Sequence, residues 1–479
     1  MITSSLYNPP SEPWAYAPDA SWPPTTIGQP IQPQEPDEEL VQMLSEIDPD
    51  RIQHTISTLA SFGTRHALST QNSSTRGIGA ARDWILAEMT NNARPANGAM
   101  TVELNSYIQG VAERISFPVN ISNVVATIPG TADPDRVYVV TGHYDSRRLD
   151  VMDYTGDAPG ADDDASGVAV VMEMARVVAL HGAQKSTLVF AATAAEEQAS
   201  YGATHLAKTL KRAGKSVEGN FNNDIVGTGK NSPFAPINDH TVRLFGASIF
   251  YPNVSSSATE NEYGLIGGWN DSPAQNLGRF VSEIAAGAAE AVGMQVALIY
   301  RPDRFLRGGD HESFLEQGFP AVRFTEPVED FLHQHQDVRV QNGTQYGDLI
   351  EFVDFDFTAR VARTNLASMY SAANAPAMPR NLSISESIGF PATDRSTSLE
   401  VLSNDSQFCW NTGDDEMVAG YELVFRSTGN LQWSHVLEVG DVGSVTVNLP
   451  KDDLQFGVRS VGKDGKKSPA VFPLPAESC

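Results

Sequence analysis

From Glu38 the apolar residues recur at three- and four-residue steps, first Leu40, Met43, Leu44 and Ile47 and then Ile52, Ile56 and Leu59, which predicts two amphipathic helices. Between about Asn123 and Glu326 the pattern changes. Short β-branched runs, VYVVTG, STLVFAAT, GNFNNDIV and PAVRFTE, alternate with longer helical stretches such as Ala165 to Ala179. That alternation predicts an open α/β sheet. After Ser371 the Pro/Ala-rich stretch AANAPAMPRNLS reads as a linker, and only short strands follow it: YELVFRS, SVTVNLP and FGVRSVG. At the other end, Pro9, Pro10, Pro13, Pro18, Pro23 and Pro24, with Trp14 and Trp22, resist helix and favour an extended arm. The chain therefore divides into an arm (1–37), a large α/β domain (38–374) and a linker with a small all-β domain (375–479). No repeat at solenoid or propeller period is visible.

Composition narrows the partners more than the fold. At 479 residues the chain exceeds what one core organises, and 41% hydrophobic with 19% charged residues is ordinary for a packed globular protein. The formal charge of −26 repels phosphate backbones and anionic lipid, so nucleic acid is not an expected partner, although solubility alone accounts for such acidity. No apolar run is long enough to span a bilayer, and the N-terminus lacks the basic-then-apolar order of a signal peptide, which suggests a processed form. Cys409 and Cys479 both fall in the last quarter, where a disulfide between them would close the small domain onto its C-terminus and would require an oxidising compartment. Sequons at Asn72, Asn120, Asn253, Asn270, Asn342, Asn381 and Asn404 agree with a secreted, extracellular or periplasmic, setting.

Candidate chemistry clusters where the apolar runs end. VYVVTGHYDS puts His143 and Asp145 just past a strand, where an open α/β sheet presents its crevice. An imidazole that binds metal needs its second nitrogen held, and a nearby carboxylate suits that task. PGADDDASG then places Asp162, Asp163 and Asp164 before a helix; three such carboxylates repel one another unless a cation neutralises them, although any helix start tolerates acids. STLVFAAT runs into Glu196 and Glu197, and adjacent glutamates can divide metal binding from proton transfer. Asp224 follows GNFNN, and Asp310, His311, His333, His335 and Asp337 form a late cluster. Each has a bland alternative as a turn, helix start or surface residue. Their joint order is the informative feature.

TGHYDS, DDDASG, the Glu-Glu pair, NNDIVG and FLHQHQD in this order resemble the co-catalytic dizinc aminopeptidases, the metallopeptidases that include bacterial leucyl aminopeptidase and are related to glutamate carboxypeptidase II and glutaminyl cyclase. The resemblance spans about Glu38 to Asn374. It implies a mixed, mostly parallel sheet flanked by helices and two zinc ions. His143 and Asp224 would ligate one, Glu197 and His333 the other, and Asp163 would bridge both. His333 is preferred over His335 because the family's late ligand stands four residues before an aspartate, here Asp337. Asp145 would orient His143, Glu196 would be the general base, and the Asp163–Asp164 bond would be cis. Substrates would be peptides with a free N-terminus. One departure is that Leu306 stands where the family's leucyl aminopeptidases carry an oxyanion-supporting tyrosine, leaving Arg304 or Arg307 as substitutes. The tail, with Trp410, GYELVFR and FGVRSVGKDGKKSPA, resembles a fibronectin type III β-sandwich. The alternatives are a single-zinc glutaminyl cyclase, against which the intact Asp triplet argues, a carboxypeptidase with arginines in its pocket, and a non-catalytic protein that binds through its tail.

Overall fold

The computed structural model describes residues 26–229, 238–248, 257–385, 405–412 and 416–476. Trp14, Trp22, Asn253, Asn404 and Cys479 lie outside the described residues. In chain order the elements begin β1 (Gln29–Pro30), α1 (Glu38–Ser45), α2 (Pro49–Ser61), α3 (Gly77–Asn92), β2 (Thr101–Gln109), β3 (Val119–Ile128), β4 (Asp133–His143), α4 (Ala165–His181), β5 (Ser186–Thr193), α5 (Tyr201–Arg212) and β6 (Ser216–Asn223). They continue β7 (Thr241–Gly246), α6 (Ser257–Leu265), α7 (Pro273–Gly287), α8 (Ala289–Val292), β8 (Gln295–Ile299), α9 (His311–Leu315), β9 (Ala321–Thr325), the hairpin β10 (Arg339–Gln341) and β11 (Thr344–Tyr346), and α10 (Phe355–Asn374). The tail contributes β12 (Arg380–Ser385), β13 (Ser406–Asn411), β14 (Val418–Ser427), β15 (His435–Gly440), β16 (Ser444–Val447), β17 (Leu454–Gly462) and β18 (Leu474–Ala476).

The two helices expected near the start form as the periodicity requires, with Leu40, Met43 and Leu44 of α1 and Ile52, Ile56 and Leu59 of α2 buried. Side-chain caps set their starts: Asp37 accepts from Leu40 N, and Asp48 accepts from Asp50 N ahead of Pro49. The four β-branched runs become β4, β5, β6 and β9, neighbours in an eight-stranded sheet of order β2-β3-β5-β4-β6-β9-β7-β8. β5, β4, β6 and β9 run parallel, whereas β2 and β3 are antiparallel additions on one side and β7 pairs antiparallel with β9 on the other. Strand parity sorts the core: Tyr138 and Val140 face the layer holding α4 and α10, and Val137 and Val139 face the layer holding α5 and α9. The outer strands β2, β7 and β8 lie outside the apolar runs that mark the central four. No described helix is long and apolar enough to cross a membrane.

The expected linker is shorter in the structure, because α10 extends to Asn374 and β12 already starts at Arg380. The tail forms two four-stranded sheets, β1-β15-β14-β17 and β16-β13-β12-β18, closed over Phe408, Trp410, Tyr421, Leu423, Phe425 and Phe456. Part of the arm belongs to this unit: Gln29 and Pro30 pair antiparallel with Val436 and His435. Cys409 is disulfide-bonded, as expected of the tail.

The sandwich is joined to the α/β domain by buried charge. Asp271 is fully buried and accepts from both Nη2 contacts of Arg426, at 2.9 and 2.7 Å, with Arg279 Nη1 at 3.2 Å. Arg459 pairs with Glu283 at 2.8 Å and Glu422 at 2.7 Å. Removing one member of such a group strands the others without water. Asp271→Ala is therefore expected to lower the unfolding free energy by about 3–5 kcal/mol, seen as a lower urea midpoint for the coupled domains.

Candidate metal centre

The sheet order places three strand ends side by side. β4 lies between β5 and β6, so the chain crosses over it in passing from β5 to β6, and the crevice opens at the C-terminal ends of these strands. His143 ends β4, Glu196 and Glu197 follow β5, and Asp224 follows β6. The helix α4 enters this crevice closely enough that a Cβ on Gly142 would stand 2.5 Å from the Gly167 carbonyl carbon. The Asp triplet that caps α4 is thereby brought against the strand ends.

Within the triplet the three carboxylates separate by task. Asp164 caps α4, accepting from Gly167 N at 2.9 Å, and also accepts from His143 N at 2.9 Å. Asp162 turns back to accept from Gly227 N at 2.6 Å. Asp163 faces the crevice, its Oδ1 3.2 Å from His143 Nε2 and its Oδ2 2.8 Å from His335 Nε2. The Asp163–Asp164 peptide is cis, as the resemblance implies. Asp348 braces the turn, receiving the Asp162 and Asp163 N–H groups at 2.8 Å each.

Two groups of side chains meet at Asp163. His143, Asp163 and Asp224 present donor atoms within 4.8 Å of one another, and so do Asp163, Glu197 and His335. Each group is able to hold a metal ion. His335, not His333, completes the second group. Its Nε2 lies 2.9 Å from Glu197 Oε1, whereas His333 stacks on Phe352 at a 3.6 Å centroid distance and turns Nδ1 toward Asp330 at 3.5 Å. The spacing to Asp337 misled because Asp337 is occupied elsewhere, accepting from Arg148 Nε at 2.8 Å. His335 has φ of 57°, a left-handed turn that aims its ring inward and leaves no trace in residue spacing.

Asp145 meets His143 mainly through its backbone. Its carboxylate Oδ1 is 3.6 Å from His143 Nδ1, and the closer acceptor is its own carbonyl, at 3.1 Å. The carboxylate instead receives the Glu196 and Glu197 N–H groups, both at 3.1 Å, and so fixes the turn that carries both glutamates. Ala195 within that turn and Ile225 after Asp224 have φ of 62° and 61°. Such conformations cost about 1–3 kcal/mol each and persist only where surroundings enforce them.

The charges are strongly coupled. Burial opposes protonation of His143, but Asp164, Asp145, Asp163 and Asp224 outweigh it and hold the imidazole well above its ordinary pKa. Burial likewise works against charge on His335, yet Glu197 and Asp163 push it up to about 10. Burial raises the Glu196 carboxyl well above the usual range, with Asp224, Glu197 and Asp310 adding to the effect and His143 opposing it. Asp224 is held low despite burial because Arg323 stands 3.0 Å away. Arg323 also grips both oxygens of Asp303, at 2.7 and 2.8 Å. Arg147 lies 3.0 Å from Glu197 Oε2 and 2.6 Å from His335 Nδ1. Sequence reasoning passed over Arg323, Arg147 and Asp348, since a lone Arg or Asp carries no motif. Arg304 is committed to Asp303, Glu329 and the Gly308 carbonyl, while Leu306 is 88% exposed and has no polar group to offer an oxyanion. Arg307 lines the same cavity, of about 460 Å³, beside Glu196.

Residues 123–347 match Peptidase family M28. A probable zinc metalloprotease of Pyrenophora tritici-repentis is 54% identical over 462 residues, covering 95% of this chain and 91% of the relative. The chain belongs to peptidase family M28. A probable zinc metalloprotease of Pyrenophora teres f. teres is also 54% identical, over 96% of this chain and 91% of its own length. Among solved structures the LapA aminopeptidase of Legionella pneumophila superposes with a TM-score of 0.50 at 18% identity, covering 73% of this chain and 78% of that one, which is a likeness of fold. The M28 protein is thus a zinc metalloprotease, a hydrolase.

Two outcomes follow from this geometry. His335→Ala is expected to lose zinc, and His333→Ala to retain the wild-type content, as read by plasma mass spectrometry of the dialysed proteins. Asp303 is buried, which raises a carboxyl pKa, but Arg323, His311 and Arg304 hold it well below the usual range. A depressed folded pKa stabilises above the unfolded value of about 3.9 and is lost below it. The stability difference between wild type and Asp303→Asn should therefore be constant from neutral pH to about pH 5 and shrink on further acidification, as measured by urea titration at each pH.

Proposed function

We propose that this M28 protein is a dizinc aminopeptidase. The observation that carries the reading is the sharing of Asp163 between two three-residue groups. The donor set fits metal by its own chemistry: His143 Nε2 stands 3.2 Å from Asp163 Oδ1 and His335 Nε2 2.9 Å from Glu197 Oε1, imidazole nitrogens and carboxylates gathered as zinc ligands are. His143, Asp163 and Asp224 would hold one zinc, and Asp163, Glu197 and His335 the other. Such ions, when bound, supply Lewis acidity and lower the pKa of water. Glu196 then serves as the proton carrier. Its Oε2 lies 4.0 Å from His143 Nε2 at the wall of the cavity, placed to take a proton from the attacking water and deliver it to the leaving amine. Asp145 holds Glu196 in position through the backbone.

The cavity of about 460 Å³ has the volume of a small-ligand site, which supports removal of one terminal residue over cleavage within an extended chain. A glutaminyl cyclase would use one zinc, and the complete second group argues against it. A carboxypeptidase reading has in its favour the arginines that line the cavity, Arg114, Arg147, Arg304 and Arg307. Three of them already contact protein groups: Arg114 the Glu197 carbonyl, Arg147 the Glu197 carboxylate, and Arg304 Asp303 and Glu329. The disulfide-bonded Cys409 and the exposed sequon residues Asn72, Asn270, Asn342 and Asn381 support a secreted glycoprotein.

Glu196→Gln is expected to keep wild-type zinc while reducing hydrolysis of aminoacyl chromogenic substrates by about 10²–10⁴-fold. Full activity in that variant would refute its role as base. N-acetylated peptides should be resistant and free ones cleaved from the N-terminus; the reverse would favour the carboxypeptidase.

A further inference from the structure

The segment Tyr300 to Gly309 connects the C-terminal sandwich to the catalytic cavity. It leaves the outermost strand β8 and ends at α9. At its start Tyr300 donates its hydroxyl to the Leu431 carbonyl of the sandwich at 2.7 Å. Arg279 Nε donates to the same oxygen at 2.6 Å, and the Arg279 guanidinium lies over the rings of both Tyr300 and Trp433, 5.4 and 5.1 Å from their centroids. In the middle, Asp303 is clamped by Arg323, whose other nitrogen reaches Asp224. At its end Arg304, Leu306, Arg307, Gly308 and Gly309 form one wall of the cavity that holds Glu196.

Arg304 closes the base of this wall through Asp303, Glu329 and the Gly308 carbonyl, and the tip beyond it projects into solvent. Phe305 and Leu306 are 72% and 88% exposed, and Leu306 has φ of 57°. A strained, solvated tip is held by its two ends, and one end rests on the sandwich. We propose that the C-terminal sandwich is a positioning element of the peptidase: through the Leu431 carbonyl it holds Tyr300, and through Tyr300 it sets the wall against which substrate binds. Tyr300 is a positioning residue and touches neither substrate nor metal. The proposal rests on the reading of the 460 Å³ cavity as the substrate site.

Loosening the segment lowers the fraction of molecules with a competent wall, and apparent affinity falls by that fraction. Tyr300→Phe keeps the ring and removes only the hydroxyl, so the fold survives. It should raise KM for an aminoacyl substrate by about two- to tenfold, the range of one neutral hydrogen bond, with kcat within about twofold and zinc content unchanged. Amide hydrogen exchange over 303–309, measured without substrate, should accelerate by a similar factor. Lys185→Ala breaks a different sandwich contact, to Asp464 at 2.9 Å, beside the opposite end of β5, and should change neither quantity. An unchanged KM and exchange rate in Tyr300→Phe, or equal changes in Lys185→Ala, would overturn the proposal. Wild-type protein that cleaves no free N-terminus would instead overturn the aminopeptidase reading, while the exchange data would still decide whether the sandwich holds the wall.

Discussion

The structure is organised around the repulsion between buried carboxylates and the groups that answer it. Asp145, Asp163, Asp164, Glu197, Asp224, Glu326 and Asp348 all lie in or behind one crevice and are nearly inaccessible to water, with Asp162 half-buried beside them. In a medium of low effective dielectric such an array cannot stay ionised without compensation. The protein answers with fixed cations, Arg323 at Asp224 and Arg147 at Glu197, and with backbone N–H groups delivered to Asp145, Asp162, Asp164 and Asp348. Arg65 sits beneath, surrounded by carbonyls of Leu59, Tyr144, Pro159 and Gly160, with burial and the nearby Asp348 and Asp145 opposing one another in its pKa. What remains exposed to the crevice is the part left for metal.

That division explains why side chains adjacent in sequence have such different roles. Asp162, Asp163 and Asp164 point to a loop, the crevice and a helix start respectively. Glu326 and Asp162 form a carboxyl pair whose pKa values burial pushes well above the usual range, and each raises or answers the charge of the other. The left-handed residues Ala195, Ile225 and His335 occur at the turns that carry Glu196, Asp224 and the second imidazole. Local strain is concentrated where side chains must be aimed, and the surrounding sheet tolerates it.

The sandwich is not an independent appendage. Pairs such as the buried Asp271–Arg426 and the half-buried Glu283–Arg459 make its seat specific, since a charge misplaced by a few ångströms there would lose its partner while regaining little water. The arm adds a strand, β1, to the edge of this same unit, covering backbone groups that would otherwise be open to pairing with another chain. Chain ends far apart in sequence are thus joined in one sheet, and the α/β domain lies between them.

The sequence by itself determined the α/β class, the four central strands, the first two helices and most of the crevice. His143, Glu196, Glu197 and Asp224 stand where apolar runs end and parallel strands open into turns, whereas Asp163 was singled out of its triplet by the resemblance to the dizinc aminopeptidases. Tertiary structure alone decided the rest. Whether His333 or His335 faces the metal depends on one left-handed residue and on Phe352, which stacks on His333 from a distant turn. Whether the carboxylate or the carbonyl of Asp145 meets His143 depends on how the Glu196–Glu197 turn claims the carboxylate. Arg323, Arg147 and Asp348 were invisible because compensation of buried charge is a property of three-dimensional neighbourhoods. A sequence records which charges exist, and only packing decides which of them face one another.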